Sequence, residues 1–319
     1  MRTFLDFEKP VADLEGQIQE LKRLEAGETD SVSVAEEITA LEAKARDSLA
    51  AIYAKLTPWQ KTQVARHPDR PHAKHYIRRL ITDFEPLAGD RKFGDDKAIV
   101  TGLGRFRGDP IAVLAQEKGE DTQTRLKHNF GMARPEGYRK AVRVMELADR
   151  FGIPVLSLVD TAGAYPGVGA EERGQAEAIA RSTEACLGLG VPNVAVVIGE
   201  GGSGGAIAIA TANRVYMLQH AIYSVISPEG AASILWRNSA RAQDAATAMR
   251  ITANDMLSLR IIDGIVEEPV GGAHRDPDQV IDRAGGVIAD ALRDLAGVGP
   301  DEIKRMRREK FLAIGRSIQ

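Results

Sequence analysis

The chain has 319 residues, of which 44% are hydrophobic and 27% are charged, and its formal net charge is −3. This composition is typical of a globular protein with one large core and an appendage, or about two domains, and it gives no global basic surface for nucleic acid. Cys186 is the single cysteine, so an internal disulfide and a four-cysteine zinc site are excluded. The first residues lack the apolar core of a secretory signal, and no apolar run has the length of a membrane span. We therefore expect a cytoplasmic enzyme.

Residues 1–56 have the pattern of a helical hairpin. Apolar residues recur at intervals of three and four, which places them on one helix face, and Gly27 is a plausible end for the first helix. The first set is Val11, Leu14, Ile18 and Leu21. The pattern favours a packing or oligomerisation arm over a cofactor site.

Residues 57–96 contain several prolines and basic residues, and we predict an extended connecting segment. The segment also contains His67, His72 and His75. The intervening prolines at 68 and 71 would interrupt a helix that could align these side chains as metal ligands. We therefore predict a surface segment without a metal.

Residues 97–295 show strands alternating with helices. Near-continuous apolar runs separated by helical segments indicate a mainly parallel sheet with both faces covered. The predicted strands are 98–106, 111–118, 153–160, 191–200 and 215–226, and helices are predicted at 135–151, at 175–190 and from 204 onward. A basic helix should close the chain within residues 296–319, with its charges in solvent.

A glycine-rich loop between the predicted strand 191–200 and the following helix is the most informative segment. Residues 198–206 read Ile-Gly-Glu-Gly-Gly-Ser-Gly-Gly-Ala, so another molecule could approach the backbone closely. The free amides at the start of a helix stabilise negative charge on oxygen, as in a phosphate site or an oxyanion hole. The loop places Gly201, Gly202, Gly204 and Gly205 among the candidate site residues.

Two other motifs overlap this loop. Gly199, Gly201 and Gly204 match the GxGxxG pattern of dinucleotide-binding proteins, but no acidic residue lies between Gly205 and Pro228 to bind a ribose. The same loop also matches GxSxG, the nucleophile elbow of serine hydrolases, with Ser203 as the nucleophile. Glu229 or Asp263 with His274, or else His220, could complete a hydrolase triad, so a serine hydrolase is the alternative function.

A second loop, residues 160–167, ends the preceding strand. The carboxyl ends of adjacent parallel strands open on one edge of a sheet, where ligands bind in α/β proteins. The amides of Gly163 and Ala164 could therefore complement those of the glycine-rich loop, and Tyr165 could form an apolar wall. We take these three residues as candidate substrate contacts.

Together these segments resemble the alpha-subunit family of the bacterial acetyl-CoA carboxylase carboxyltransferase. The order and spacing of the matching segments are specific in combination. They are residues 56–71, 89–102, 129–141, 160–180, 197–210, 223–236 and 267–277. The chain departs from the family pattern at Ala162, where proline is usual, and at Ala231, where cysteine is more usual.

The resemblance implies a crotonase-like (ClpP/crotonase) fold, a spiral of ββα units with an N-terminal helical extension. It places the carboxyltransferase core at 97–295. It also implies an assembly of two alpha and two beta subunits, in which a homologous beta subunit carries a zinc ribbon and most of the CoA site. Biotin would arrive on the separate biotin carboxyl carrier protein, after carboxylation by biotin carboxylase.

The implied reaction is transfer of a carboxyl group from carboxybiotin to acetyl-CoA, which gives malonyl-CoA for fatty acid biosynthesis. Negative charge develops on a biotin oxygen and on the thioester oxygen, so two oxyanion holes are needed. The resemblance implies that the amides of Gly204 and Gly205 form the one for biotin and that the beta subunit forms the other. Propionyl-CoA in place of acetyl-CoA remains an alternative substrate, and no metal is expected in this chain.

Overall fold

The computed structural model describes residues 3–25 and 32–316. Its elements alternate between helix and strand over most of this length. In chain order they are α1 (Lys9–Glu25), α2 (Val32–Tyr53), α3 (Pro58–Ala65), α4 (Ala73–Leu80), β1 (Ile81–Pro86), β2 (Ile99–Phe106), β3 (Asp109–Gln116), α5 (Thr122–Lys127), α6 (Pro135–Phe151), β4 (Val155–Thr161), α7 (Val168–Glu172), α8 (Gln175–Gly188), β5 (Asn193–Gly202), α9 (Ser203–Ala210), β6 (Arg214–Leu218), β7 (Ile222–Ser224), α10 (Pro228–Trp236), α11 (Ala242–Ala248), α12 (Ala253–Ser258), β8 (Gly264–Val266), α13 (Pro277–Asp294) and α14 (Pro300–Ala313).

The strands of the described residues form one sheet in the order β1-β2-β3-β4-β5-β6-β8, with β7 paired to the end of β5. The first two pairings, β1 with β2 and β2 with β3, are antiparallel, and the pairings from β3 onward are parallel. Every residue of β4 and β5 is buried, which is why these strands read as continuous apolar runs. The predicted α/β class with a mainly parallel sheet is confirmed.

The helical hairpin predicted near the N-terminus is present as α1 and α2, whose apolar faces pack on each other. Arg275 joins the hairpin to the rest of the chain, because its guanidinium lies 2.5 Å from Glu15 and 3.5 Å from Glu8. The Tyr53 hydroxyl donates to the same Glu8 carboxylate at 3.1 Å. The predicted helix end at Gly27 lies outside the described residues.

The prediction of an extended segment at 57–96 was wrong, because this segment forms α3, α4 and the edge strand β1. Thr57 caps α3 by accepting a hydrogen bond from the Gln60 amide, while Gln60 Oε1 accepts one from the Thr57 amide. Pro58 occupies the first helical turn, where its missing N–H costs nothing. Pro58 therefore begins a helix, and the prolines at 68 and 71 lie between α3 and α4. The predicted domain boundaries stay a prediction.

The strand predicted at 215–226 is divided into β6 and β7. Between them the chain turns at His220, whose amide donates at 2.9 Å to the buried carboxylate of Glu268. The His220 amide therefore does not donate to a neighbouring strand, as it would if the strand were continuous. The apolar pattern continues across the break, so it could not show the turn.

The C-terminal helix α14 does not present all of its charges to solvent. Arg307 is fully buried and donates to the carbonyls of Leu187, Leu189 and Val191 and to the side chains of Asn193 and Asn213. Burial lowers the pKa of Arg307 to about 10, which still leaves the guanidinium charged at neutral pH. The guanidinium thus closes the C-terminal end of α8, and our expectation of a purely solvated face was wrong.

We expect Arg307→Leu to reduce the free energy of unfolding by about 3–5 kcal/mol, since it leaves several buried acceptors without a donor. The measurement is urea unfolding at neutral pH. Arg308→Leu is the matched control, because Arg308 is exposed on the same helix, and it should change stability by less than about 0.5 kcal/mol. Equal effects of the two substitutions would contradict the role of Arg307.

Candidate functional site

The two loops predicted to form a site lie against each other. They follow β4 and β5, which are parallel neighbours in the sheet. A Cβ atom added at Gly205 would lie 2.7 Å from the carbonyl carbon of Gly163 and 2.8 Å from the amide nitrogen of Ala164. A Cβ added at Gly202 would clash with the backbone of Ala162. The loops therefore meet backbone to backbone, which requires glycine at both positions.

Other glycines of the same loop are also explained by packing within the chain. A Cβ at Gly199 would clash with the Asp160 carboxylate, and one at Gly201 would lie 2.7 Å from the Tyr223 ring. The density of glycine in this loop suggests room for another molecule, but much of that room is filled by the chain itself. Direct contacts of Gly201 and Gly202 with a substrate stay a prediction.

The backbone amides at the junction are not equally available. Gly163 has φ +147°, a conformation that favours glycine, and its amide donates at 3.1 Å to Thr161 Oγ1. The Ala164 amide has no hydrogen-bond acceptor within residues 3–25 and 32–316. Gly204 and Gly205 lie in the first turn of α9, where amides have no acceptor one turn earlier. The Ala164 amide therefore lacks an acceptor within the described residues, the amides of Gly204 and Gly205 stay predicted donors, and Gly163 shapes the turn.

Tyr165 follows Ala164 in the second loop, and its role as an apolar wall for a substrate stays a prediction. Its ring packs on Gly167, and the guanidinium of Arg134 lies above the ring with its Cζ 4.7 Å from the centroid. Its backbone is fixed on both sides, since the amide donates to Ala133 at 3.0 Å and the carbonyl accepts from Gln175 at 2.8 Å. These contacts join the loop to residues Ala133, Arg134 and Gln175 of the same chain.

Gln116, at the end of β3, connects the two loops directly. Its side chain is fully buried, and its Nε2 donates to the Gly205 carbonyl at 2.7 Å. Its Oε1 accepts from the Asp160 amide at 3.1 Å. One carboxamide thus fixes the start of α9 relative to the end of β4, and the sequence pattern did not single it out.

Lys118 bridges the same strand ends through charge. Its ammonium lies 2.8 Å from Asp160 Oδ1 and 2.7 Å from Glu200 Oε2, and Arg66 lies 2.7 Å from the other oxygen of Glu200. Burial alone would raise the pKa of Asp160, but the Lys118 ammonium and His72 hold it well below its usual range. Burial would lower the pKa of Lys118, and the two carboxylates raise it. All three groups therefore stay ionised at neutral pH and hold the ends of β4 and β5 together.

A large apolar pocket opens beside Gly204. Its volume is about 770 Å³. It is bounded by α9, by β7, by α12 and by α14, and the residues that line it include Leu187, Ser203, Gly204, Ile207, Tyr223, Val225, Met249, Ile251, Met256, Phe311 and Ile314. No aspartate, glutamate or histidine of the described residues lines it. The pocket can therefore hold an apolar group next to the start of α9.

Ser203 has one feature of a nucleophile elbow, since it lies at a strand-to-helix turn with φ +52°. Neither downstream histidine reaches it, however. His274 is stacked on His67 with ring centroids 3.7 Å apart, and His220 packs against Tyr53. A serine hydrolase needs a histidine within hydrogen-bond reach of the serine, so the geometry does not favour this alternative.

The three histidines of residues 57–96 have different surroundings. His67 lies on His274, His72 lies 3.6 Å from Asp160, and His75 lies 3.3 Å from Glu120. Within the described residues, no group of three or more histidine, cysteine, aspartate or glutamate side chains is arranged to hold a metal ion. The described helices also include none with the length and apolar character needed to cross a bilayer.

The chain matches known proteins over nearly its full length. The family model for acetyl co-enzyme A carboxylase carboxyltransferase-like proteins matches residues 4–315. The acetyl-coenzyme A carboxylase carboxyl transferase subunit alpha of Chelativorans sp. (strain BNC1) is 69% identical over 319 residues, and that of Xanthobacter autotrophicus is 68% identical over 318 residues. Each alignment covers 100% of both chains.

Solved structures show the same fold at low sequence identity. Transcarboxylase 12S, with methylmalonyl-coenzyme A and methylmalonic acid bound, has a TM-score of 0.59 at 21% identity over 71% of this chain and 42% of its own. A Pseudomonas malonate decarboxylase hetero-tetramer in complex with coenzyme A has a TM-score of 0.57 at 19% identity over 71% of this chain and 92% of its own.

The fold is that of the crotonase-like carboxyltransferases, as predicted. The full-length matches go further than the class. This chain belongs to the family of acetyl-CoA carboxylase carboxyltransferase alpha subunits.

Proposed function

We propose that this chain is the half of an acetyl-CoA carboxyltransferase that stabilises charge on biotin during carboxyl transfer. In the overall reaction the carboxyl carbon leaves a ureido nitrogen of biotin and bonds to the methyl carbon of acetyl-CoA, whose proton goes to that nitrogen. The product, malonyl-CoA, supplies fatty acid biosynthesis. The observation that carries the proposal is the junction of the two loops beside the apolar pocket.

The amides of Gly204 and Gly205 are the proposed catalytic donors, and the Ala164 amide completes the set. Each would donate to an oxygen on which negative charge develops. Such donors act strongly because they are already oriented and partly removed from water. The hydrogen bonds of Gln116 and the ion pairs of Lys118 support this role, since they fix both loops before any ligand arrives.

The apolar pocket fits the ring system of biotin, which is largely apolar apart from its ureido group. The absence of an acidic or basic side chain among its described lining residues agrees with a reaction in which the methyl proton goes to biotin itself. The residues of this chain would then orient the reactants and exclude water, which contributes through proximity.

Exposed apolar residues at the rim of the pocket support a partner subunit. Of the lining residues, Ile207 is 45% exposed and Val225 is 82% exposed, and Leu312, next to the lining residue Phe311, is 54% exposed. Ile234 and Leu235 on α10 are also 72% and 64% exposed. Exposed large apolar side chains are typical of a protein–protein interface when they form a patch. We infer that a beta subunit covers the rim and places its CoA thioester opposite the glycine loops.

The remaining partners follow from the same proposal. The chain would work as two alpha and two beta subunits in the cytoplasm. Biotin carboxyl carrier protein would deliver the biotin that biotin carboxylase has carboxylated, because a carboxyltransferase needs that donor. The substrate would be acetyl-CoA, because the relatives are named for acetyl-CoA. Propionyl-CoA is the alternative substrate, and the test below distinguishes the two.

The test is the reverse reaction, measured as carboxyl transfer from malonyl-CoA to free biocytin by the chain mixed with its beta subunit. We expect turnover of malonyl-CoA to exceed that of methylmalonyl-CoA at least tenfold in kcat/KM. A preference for methylmalonyl-CoA would overturn the acetyl-CoA assignment. Thioester or ester hydrolysis that needs no biocytin and is lost in Ser203→Ala would point to the hydrolase.

A further inference from the structure

The polar side chains that line the apolar pocket, within the described residues, all carry hydroxyl groups. Two of these hydroxyls are already used, because Thr183 and Thr211 each donate to a carbonyl one turn earlier in the chain, at 3.0 and 2.9 Å. Those of Ser203, Tyr223 and Ser224 have no hydrogen-bond partner within residues 3–25 and 32–316. Tyr223 has the longest of these side chains, so its hydroxyl can reach furthest from the backbone.

The sheet places Tyr223 against the glycine-rich loop. In the pairing of β7 with β5 it lies opposite Gly201, and its ring packs so closely that a Cβ atom at Gly201 would lie 2.7 Å from the ring. On the other side, the Tyr223 amide donates to the Ile251 carbonyl at 2.9 Å. The backbone of Tyr223 is therefore held on both sides, and its ring lies against the loop that carries the proposed donors Gly204 and Gly205.

The Tyr223 hydroxyl stays protonated and faces open space. Burial raises the pKa of Tyr223 to about 12, so the phenol is neutral at neutral pH. The hydroxyls of Tyr76 and Tyr138 are also unpartnered within the described residues, but they are completely buried. That of Tyr223 keeps some exposure, and the space that this residue lines is the apolar pocket. A largely buried tyrosine usually forms a hydrogen bond through its hydroxyl, which favours a polar partner in the ligand.

We infer that the Tyr223 hydroxyl accepts a hydrogen bond from the ureido group of biotin and positions the biotin ring in the pocket. The inference rests on the proposed function. A ureido group has a carbonyl oxygen and two nitrogens, and one N–H remains when the other nitrogen carries the carboxyl group. That N–H needs an acceptor, whereas the backbone amides of the glycine loops can only donate. The described lining residues include no carboxylate or imidazole, and a neutral phenol can accept.

The test is carboxyl transfer from malonyl-CoA to free biocytin by the chain reconstituted with its beta subunit. Tyr223→Phe removes only the hydroxyl. It is expected to raise the KM for biocytin about fivefold to tenfold, the usual effect of one hydrogen bond between uncharged groups. The KM for malonyl-CoA should stay within about twofold, because the inferred contact is with biotin alone.

Tyr216→Phe is the matched control. Tyr216 lies on β6, which also pairs with β5, and burial raises its pKa as well. Its hydroxyl has no hydrogen-bond partner within the described residues, and it does not line the pocket. Both KM values should therefore stay within about twofold. No rise in the KM for biocytin in Tyr223→Phe, or an equal rise in both variants, would overturn the inference.

Urea unfolding separates this contact from a structural role of the hydroxyl. Tyr223→Phe should unfold at the same urea concentration as the unmodified chain, because no hydrogen bond within the described residues is lost. A lower unfolding midpoint together with equal changes in both KM values would show a structural role and would also overturn the inference.

Failure of the proposed function would look different. In that case the unmodified chain with its beta subunit would transfer no carboxyl group to biocytin, and the inference would fall with the function. Normal transfer with an unchanged KM for biocytin in Tyr223→Phe would instead leave the proposed function intact and refute the contact.

Discussion

Purified without a partner, this chain is expected to show no carboxyl transfer from malonyl-CoA to biocytin. Activity should appear when a beta subunit is added and saturate near one beta subunit for each alpha. The reaction needs two oxyanion holes, whereas the described residues bring together one junction of glycine loops with free amides. The rim of the apolar pocket is also exposed until a partner covers it.

A matched pair of substitutions tests whether that rim is the interface. Val225 lies on the rim and is 82% exposed, whereas Val270, which is 56% exposed, lies near the N-terminal hairpin. Val225→Asp should raise the concentration of beta subunit needed for half-maximal activity at least tenfold, which corresponds to about 1.4 kcal/mol. Val270→Asp should change it little. Robust turnover by the chain alone would refute the division of the site between two subunits.

Gly205→Ala should reduce carboxyl transfer by about a hundredfold to a thousandfold, the usual cost of losing one oxyanion donor. The added Cβ would lie 2.7 Å from the Gly163 carbonyl carbon and 2.8 Å from the Ala164 nitrogen, so the two loops must move apart. This movement would displace the amides of Ala164 and Gly205 relative to each other. Because the contact is with backbone, stability should also fall, by about 1–3 kcal/mol.

The measurement combines kcat of the reconstituted enzyme with urea unfolding of the chain. Gly286→Ala is the control, because Gly286 is also helical and a Cβ there would have no atom within 4 Å. It should keep full activity and be as stable as the unmodified chain or more so. If Gly205→Ala folds, assembles and keeps near-normal kcat, the assignment of this junction is wrong.

Much of the architecture was predictable because it depends on local patterns. The apolar runs of β4 and β5 indicated buried parallel strands, and the glycine-rich segment indicated the turn into α9. The proline at 135 marked the start of α6. The family resemblance rested on the same short segments, and full-length matches confirm it.

Some structural errors had a local cause that the sequence contained. Residues 57–96 were predicted as extended because prolines were interpreted as helix breakers, although Thr57 and Pro58 form a helix start. Gln116 was also detectable, since a polar residue at the end of an apolar strand that stays buried must have buried partners. The sequence thus indicated that Gln116 has buried hydrogen-bond partners, but it did not indicate which residues they are.

By itself, then, the sequence determined the strands β2 to β5, the two loops, their shared edge of the sheet and the family. Only the tertiary structure decided which amides remain free and why the glycines are there. The Gly163 amide is occupied because the Thr161 hydroxyl lies within 3.1 Å, and Gly205 is required because the other loop lies against it. Likewise, Arg307 is buried because distant carbonyls converge on it. Contacts between residues far apart in the chain leave no periodic pattern in the sequence, so the sequence does not predict them. They form only when the sheet brings the loops together.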